Sequence, residues 1–255
     1  MDKLLKFPKY FLLLAVLFVG CNSENVGDCF QAKGSIMQSI FTVPSFDQIQ
    51  IEGNVSLFIE QGATQEVSIE TGENLLPDVF VEVVDGTLII RDTNSCNFVR
   101  EYGSTIARIT TPNITRIQNA SSYDVVGVGE LSFNSLLLVS NTSGGLADPR
   151  KGGDFYLDIN TTELRVSANG QSAFYLSGNV QTANINFADE NPRFEGATLR
   201  VDDLTIFQRS ANKMIVFPVN SISGRIVGTG DVIAKNTPPI VEVEESFTGQ
   251  LIFED

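Results

Sequence analysis

The side chains with the makings of polysaccharide chemistry are carboxylates and arginines. Asp202-Asp203 is the most suggestive acidic pair, with Asp154, Asp158, Asp189 and Glu190 elsewhere and Arg193, Arg200 and Arg209 as cationic candidates. A glycosidase holds two carboxyls about 5 to 9.5 Å apart across the scissile bond, and a lyase would set calcium-binding carboxylates beside an Arg or Lys base. Neighbouring strand residues point to opposite faces, so Asp202 and Asp203 are not expected to act together, and no spacing converges the arginines. The chain contains no histidine, which excludes Ser–His and Cys–His nucleophiles, histidine bases and histidine-ligated zinc. It also lacks tryptophan, while its 5 tyrosines and 18 phenylalanines leave sugar binding open. The expectation is a chain with no catalytic, cofactor-binding or metal residues, its carboxylates forming solvated acidic faces.

The three cysteines, Cys21, Cys29 and Cys96, carry a different chemistry. Lys3, Lys6 and Lys9 precede an apolar run from Phe11 to Val19, the pattern of an export signal over residues 1–20. The run is well short of the roughly 20 residues that a membrane-crossing helix needs. Leu17-Phe18-Val19-Gly20-Cys21 resembles a bacterial lipoprotein box, which implies cleavage before Cys21 and acylation of it. The alternative is an ordinary signal peptide followed by a chance cysteine. Several acyl chains, at about 0.8 kcal/mol per buried methylene, would anchor the protein permanently. With Cys21 lipidated, Cys29 and Cys96 remain as an even pair in an oxidising compartment, expected to form a disulfide rather than two buried thiols. They lie 67 positions apart, and the chain-entropy model gives such a loop about 4 kcal/mol.

The net charge is -14, and loss of residues 1–20 would leave -16. No basic cluster is present to neutralise phosphates, so nucleic acid is not an expected partner.

The elements that must position these residues are strands. Residues 21–45 read as a lipidated cysteine and a polar tether. From Phe46 onward apolar side chains alternate with polar ones, as in "FDQIQIEG" and "NVSLFIEQG". Asp85-Gly86 between two alternating runs is a strong hairpin signal, so residues 46–112 are expected to be an antiparallel group. Over 113–255, short strands and Ser/Asn/Gly/Asp corners recur from starts near residues 114, 136, 164, 183, 204 and 222. That spacing predicts a solenoid of parallel strands whose inward residues, such as Leu164, Val166, Phe174 and Leu176, stack on the next coil. Asn141, Gly144, Asn169, Gly170, Gly178 and Asn212 are expected at corners in left-handed backbone. "GTGDV" at 228–232 resembles a nucleotide loop but lacks the helix such a loop requires. The acidic "VEVEESFTGQLIFED" tail is expected to cap the last coil. The competing architecture is a β-sandwich.

The series "GDCF", "FDQIQIEGNVSLFIEQG", "VEVVDGTLIIRDTNSCNFVR", "ARITTPNITRIQNASSYDV", "ISGRIVGTGDV" and "GQLIFED" resembles the head GIN domain family of adhesin-like lipoproteins of Gram-negative envelopes. The resemblance implies a right-handed β-helix-like fold and an extracytoplasmic location. It supports the Cys29–Cys96 pairing and implies no established catalytic residues. Departures are "LADPRKGGDF", which lengthens one coil, and "NKMIVFPV", which replaces a Ser/Gly-rich corner. The expected function is a non-enzymatic binding, adhesion or scaffold module, anchored by lipid at the outer membrane and engaging a glycan or an envelope protein. The alternative is a polysaccharide-active lyase or hydrolase.

Overall fold

The computed structural model describes residues 31–94, 103, 105–141, 146 and 150–254. Cys21, Cys29 and Cys96 lie outside the described residues, and with them the leader, the lipidation site and the disulfide; Gly144 does too. Among the described residues the protein is all-β, with 17 strands linked by hydrogen bonds into one nearly closed sheet. In chain order they are β1 (Ile36–Phe41), β2 (Gln48–Gly53), β3 (Val55–Gln61), β4 (Glu66–Gly72), β5 (Val79–Val84), β6 (Thr87–Asp92), β7 (Thr105–Thr111), β8 (Arg116–Ser121) and β9 (Val125–Leu131). There follow β10 (Ser135–Ser140), β11 (Phe155–Ala168), β12 (Ala173–Phe187), β13 (Arg193–Gln208), β14 (Met214–Ile226), β15 (Val232–Ala234), β16 (Ile240–Glu245) and β17 (Leu251–Phe253).

The pairings resolve into two ladders. One runs β5, β6, β2, β8, β10, the second halves of β11 to β14, then β16. The other runs β1, β4, β7, β3, β9, the first halves of β11 to β14, β15, then β17. From β8 onward every pairing is parallel, and each rung steps from one ladder to the other. These pairings do not form the antiparallel neighbours of a β-sandwich. The tail forms β16 and β17, the last rungs of the two ladders.

The expected tether over 21–45 is corrected at its end, because Ile36–Phe41 forms β1 and pairs with β4. The expected antiparallel group over 46–112 is corrected in part. The β5–β6 hairpin and the β4–β7 pair are antiparallel. β2 and β3, however, pair only in parallel, each held between two later rungs. Alternation fixes which face a side chain takes, not the direction of the neighbouring strand, so the pattern could not separate the two. The hairpin signal is realised as expected: Asp85 and Gly86 both have positive φ, 48° and 75°, as a type I′ turn requires.

The ladders are held together by inward columns. Phe155 and Phe174 stack at 4.7 Å, with Phe194 and Met214 in register beyond them, and all four are buried. Leu164, Val166 and Leu176 are buried as expected. No rung could cover these side chains alone, so burial is shared between neighbours. At Gly178, in the middle of β12, φ is 108° and an added Cβ would lie 2.0 Å from the Ile159 carbonyl oxygen. Asn141, Asn169, Gly170 and Asn212 do not adopt the left-handed backbone expected of them. Side-chain and main-chain hydrogen bonds turn such corners instead: the Asn212 N–H donates to the Ser210 hydroxyl at 2.9 Å, and the Asn212 carbonyl accepts from Gln208 Nε2 at 2.8 Å.

Candidate functional site

Where the chain turns from one ladder to the other inside β11, β12 and β13, strict alternation slips by one residue. Thr162-Glu163, Gln181-Thr182 and Asp202-Asp203 are consecutive outward pairs at these turns. Both Asp202 and Asp203 are exposed. This corrects the expectation that they take opposite faces, because the rule of alternation fails at a corner. The slips align from rung to rung and open a groove of about 500 Å³ along one edge of the stack. It crosses five successive turns, so at roughly 4.8 Å per rung its length is about 19 Å.

Two polar columns line it. Asn160, Asn179 and Arg200 are in direct register, with Phe217 on the next rung. The Arg200 guanidinium lies 4.7 Å from the Phe217 ring centroid, a cation–π contact that fixes its orientation. Beside this column run Thr162, Gln181 and Asp202. At the lower lip Asn134 is locked in place: its carbonyl accepts from Thr161 Oγ1 at 3.1 Å, and its Oδ1 from Thr162 Oγ1 at 3.3 Å. The side chains of Asn160, Asn179, Gln181 and Asp202 are exposed and make no hydrogen bond among the described residues. Amides both donate and accept, so the lining can satisfy hydroxyl or amide groups arrayed along an extended chain.

The other candidate carboxylates are bonded within the protein. Asp154 accepts the Ala173 N–H at 2.7 Å, and its own N–H donates to Asp124 Oδ1 at 2.9 Å. Burial first, then the nearby Asp124 charge, raises its pKa against the lowering effect of the Ala173 bond. Asp158 accepts from the Ser177 hydroxyl at 3.1 Å, and Asp203 from Ser221 at 2.6 Å. Asp189 accepts the Glu190 N–H, and Glu190 pairs with Lys151 at 2.7 Å. Arg193 pairs with Glu195, and Arg209 is exposed just beyond β13. Among the predicted acid and base candidates, the groove gathers only Arg200 and Asp202. Among the described residues no group of three or more carboxylates or thiols is placed to hold a metal ion.

A second polar strip lies on β2, β6 and β8. Glu52 is fully buried, receives Arg91 at 3.1 and 3.2 Å, and accepts from Gln50 Nε2 at 2.7 Å. Arg116 donates to Gln118, which is also buried. Here the polar groups satisfy one another.

Sequence reasoning missed Asn160, Asn179 and Gln181, as well as the outward Tyr156–Tyr175 stack at 4.8 Å. The signal for the groove was present: Asn160 and Asn179 occupy the same phase of successive repeats, each just before a doubled outward pair.

The family described as "Putative auto-transporter adhesin, head GIN domain" matches residues 45–238. Among solved structures, a "putative adhesin" from Bacteroides fragilis is similar at TM-score 0.77 and 17% identity, covering 88% of this chain and 99% of that one. A "putative lipid binding protein" from Parabacteroides distasonis follows at TM-score 0.63 and 17% identity, covering 87% and 98%. A "putative adhesin" from Parabacteroides merdae gives TM-score 0.57 and 16% identity, covering 87% and 97%. At these identities the likeness is one of fold. A comparison with curated proteins returned no match.

Proposed function

The chain belongs to the head GIN domain family, and from that premise we propose that it is a non-enzymatic envelope binding module that holds an extended glycan in its corner groove. The rungs are read as a right-handed β-helix-like solenoid, with 1–20 as signal peptide, a tether that starts at Cys21 and ends before β1 (Ile36–Phe41), 46–112 as the first rungs after β1 and 113–255 as the later coils. Cys21 carries lipid at the outer membrane and Cys29 pairs with Cys96. The adhesin names of the two relatives fit this capture role.

The carrying observation is the register column Asn160–Asn179–Arg200, whose two amides make no hydrogen bond among the described residues, beside Thr162, Gln181 and Asp202. Its repeat of roughly 4.8 Å is comparable to the length of one pyranose. The groove offers a single cation and a single carboxylate, which favours a neutral, hydroxyl-rich ligand over a polyanion. One carboxylate cannot supply the pair that glycoside hydrolysis uses.

Calorimetric titration of neutral oligosaccharides into the purified protein tests this reading. Binding that weakens on Asn179→Ala, with no new reducing ends released, supports it. Release of reducing ends that stops on Asp202→Asn would instead make the protein an enzyme.

A further inference from the structure

Large apolar side chains are exposed at both ends of the stack. Ile36, Met37 and Ile40 on β1 join Phe80 and Val84 on β5 at one end. Ile240, Val241, Phe247, Ile252 and Phe253 mark the other. Both β1 and β5 are terminal strands, each paired on one side only among the described residues. The two ends differ in charge. β1 has no ionisable side chain, and β5 carries Glu82 with Asp78 and Asp85 at its two ends, whereas β16 carries Glu242, Glu244 and Glu245, and Glu254 follows β17.

The β1 edge, without charge, suits a lipid bilayer, and an edge crowded with carboxylates does not, because desolvating each ion is costly. The chain is packed on the fold from Gln31, which is buried and donates its Nε2 to the Asn74 carbonyl at 2.6 Å, and Cys21 lies 10 positions before it, so a lipid there enters the fold at the β1 end. A tether of that length spans up to about 35 Å when extended. The stack is about 43 to 48 Å long, from the nine and ten strand spacings of its two ladders at roughly 4.8 Å each. The tether is therefore shorter than the stack and holds the β1 end nearer the membrane, in agreement with the chemistry of the β1 edge.

We infer that the β1/β5 end docks on the bilayer, with Ile36, Ile40 and Phe80 seated in the interface and the stack standing along the membrane normal. This rests on the lipid-anchoring reading. The corner groove then runs away from the membrane, its β14 end outermost.

Because the chain has no tryptophan, an indole introduced at one position is a unique reporter. The lipidated full-length variants Ile40→Trp and, separately, Phe253→Trp are reconstituted in phosphatidylethanolamine–phosphatidylglycerol vesicles containing brominated lipid. The expected result is several-fold stronger quenching of the indole at position 40 than at position 253. In a Phe80→Trp reporter, adding Ile40→Glu is expected to abolish quenching while the thermal transition stays in place. Equal quenching at the two ends overturns the inference. So does loss of quenching accompanied by concentration-dependent self-association, which would make a second copy the occupant. Mass spectrometry of the amino terminus separates the two failures. An unacylated Cys21 removes the anchoring reading and the docking with it, whereas acylated protein with an unquenched indole at position 40 removes the docking alone.

Discussion

Gln50, Glu52, Arg91 and Gln118 on β2, β6 and β8 close their hydrogen bonds within the protein. Asn160, Asn179, Gln181 and Asp202, at the corners of β11 to β13, leave theirs open to solvent. Both strips lie on the outside of parallel rungs, and both collect amides and charges. The first belongs to stability, because a buried charge is tolerable only when paired and hydrogen-bonded. The second adds little to stability, since water satisfies it in the free protein, and it remains available to a ligand that can replace that water. The character of a polar strip thus depends on where its partners lie, not on which residues compose it.

The strongest way to break this contrast is at the buried strip. Arg91→Met leaves the Glu52 carboxylate, with no exposed side-chain surface, without its guanidinium. The expected loss is about 3–5 kcal/mol of folding free energy, read by urea denaturation. Adding Glu52→Leu should recover most of it, and oligosaccharide affinity of the folded protein should not change. A smaller loss is expected from Gly178→Ala, since φ there is 108° and the new Cβ would meet the Ile159 carbonyl. Strain of this kind costs about 1–3 kcal/mol, and thermal unfolding measures it.

In the groove the balance should invert. Asn179→Ala combined with Gln181→Ala removes two open amides, each hydrogen bond contributing about 0.5–1.5 kcal/mol. Oligosaccharide affinity is expected to fall by about tenfold or more, while stability stays within about 0.5 kcal/mol, as for other surface changes. A double variant that unfolds early but binds normally would place the groove with the structural strip.

The smallest effect concerns Asp154, whose pKa is raised in the folded state chiefly by burial. The folded protein therefore holds more protons than the unfolded chain just above the ordinary carboxylate pKa, and stability falls as pH rises through that window. Asp154→Asn should flatten the slope and give slightly higher stability near neutrality, with the amide oxygen still accepting the Ala173 N–H. Melting temperatures recorded across the acid range would reveal an unchanged slope if Asp154 is not the source.

Much of the later half was legible from repeat phase. Starts expected near 164, 183, 204 and 222 fall beside the paired residues Glu163, Thr182, Asp203 and Ser221. Leu164 and Phe174 could be read as inward because only one face of an alternating strand is apolar. The first half was harder. β2 and β3 are flanked by rungs made from residues much later in the chain, and long-range partners leave no mark on local alternation. The groove was hidden for another reason: Asp202 and Asp203 obey alternation everywhere except at the turn that makes them neighbours in solvent. Asn160 and Asn179 look like ordinary polar strand residues until the register sets them side by side.

Calorimetry with a neutral oligosaccharide series of increasing length, on the wild-type protein and on Asn179→Ala/Gln181→Ala, tests the groove most directly. Affinity should rise with each added sugar until the chain spans the five turns that the groove crosses, then level off, with the variant weaker at every length. Affinity independent of length, or identical in wild type and variant, would show that the open column between β9 and β14 is not where the protein holds its ligand.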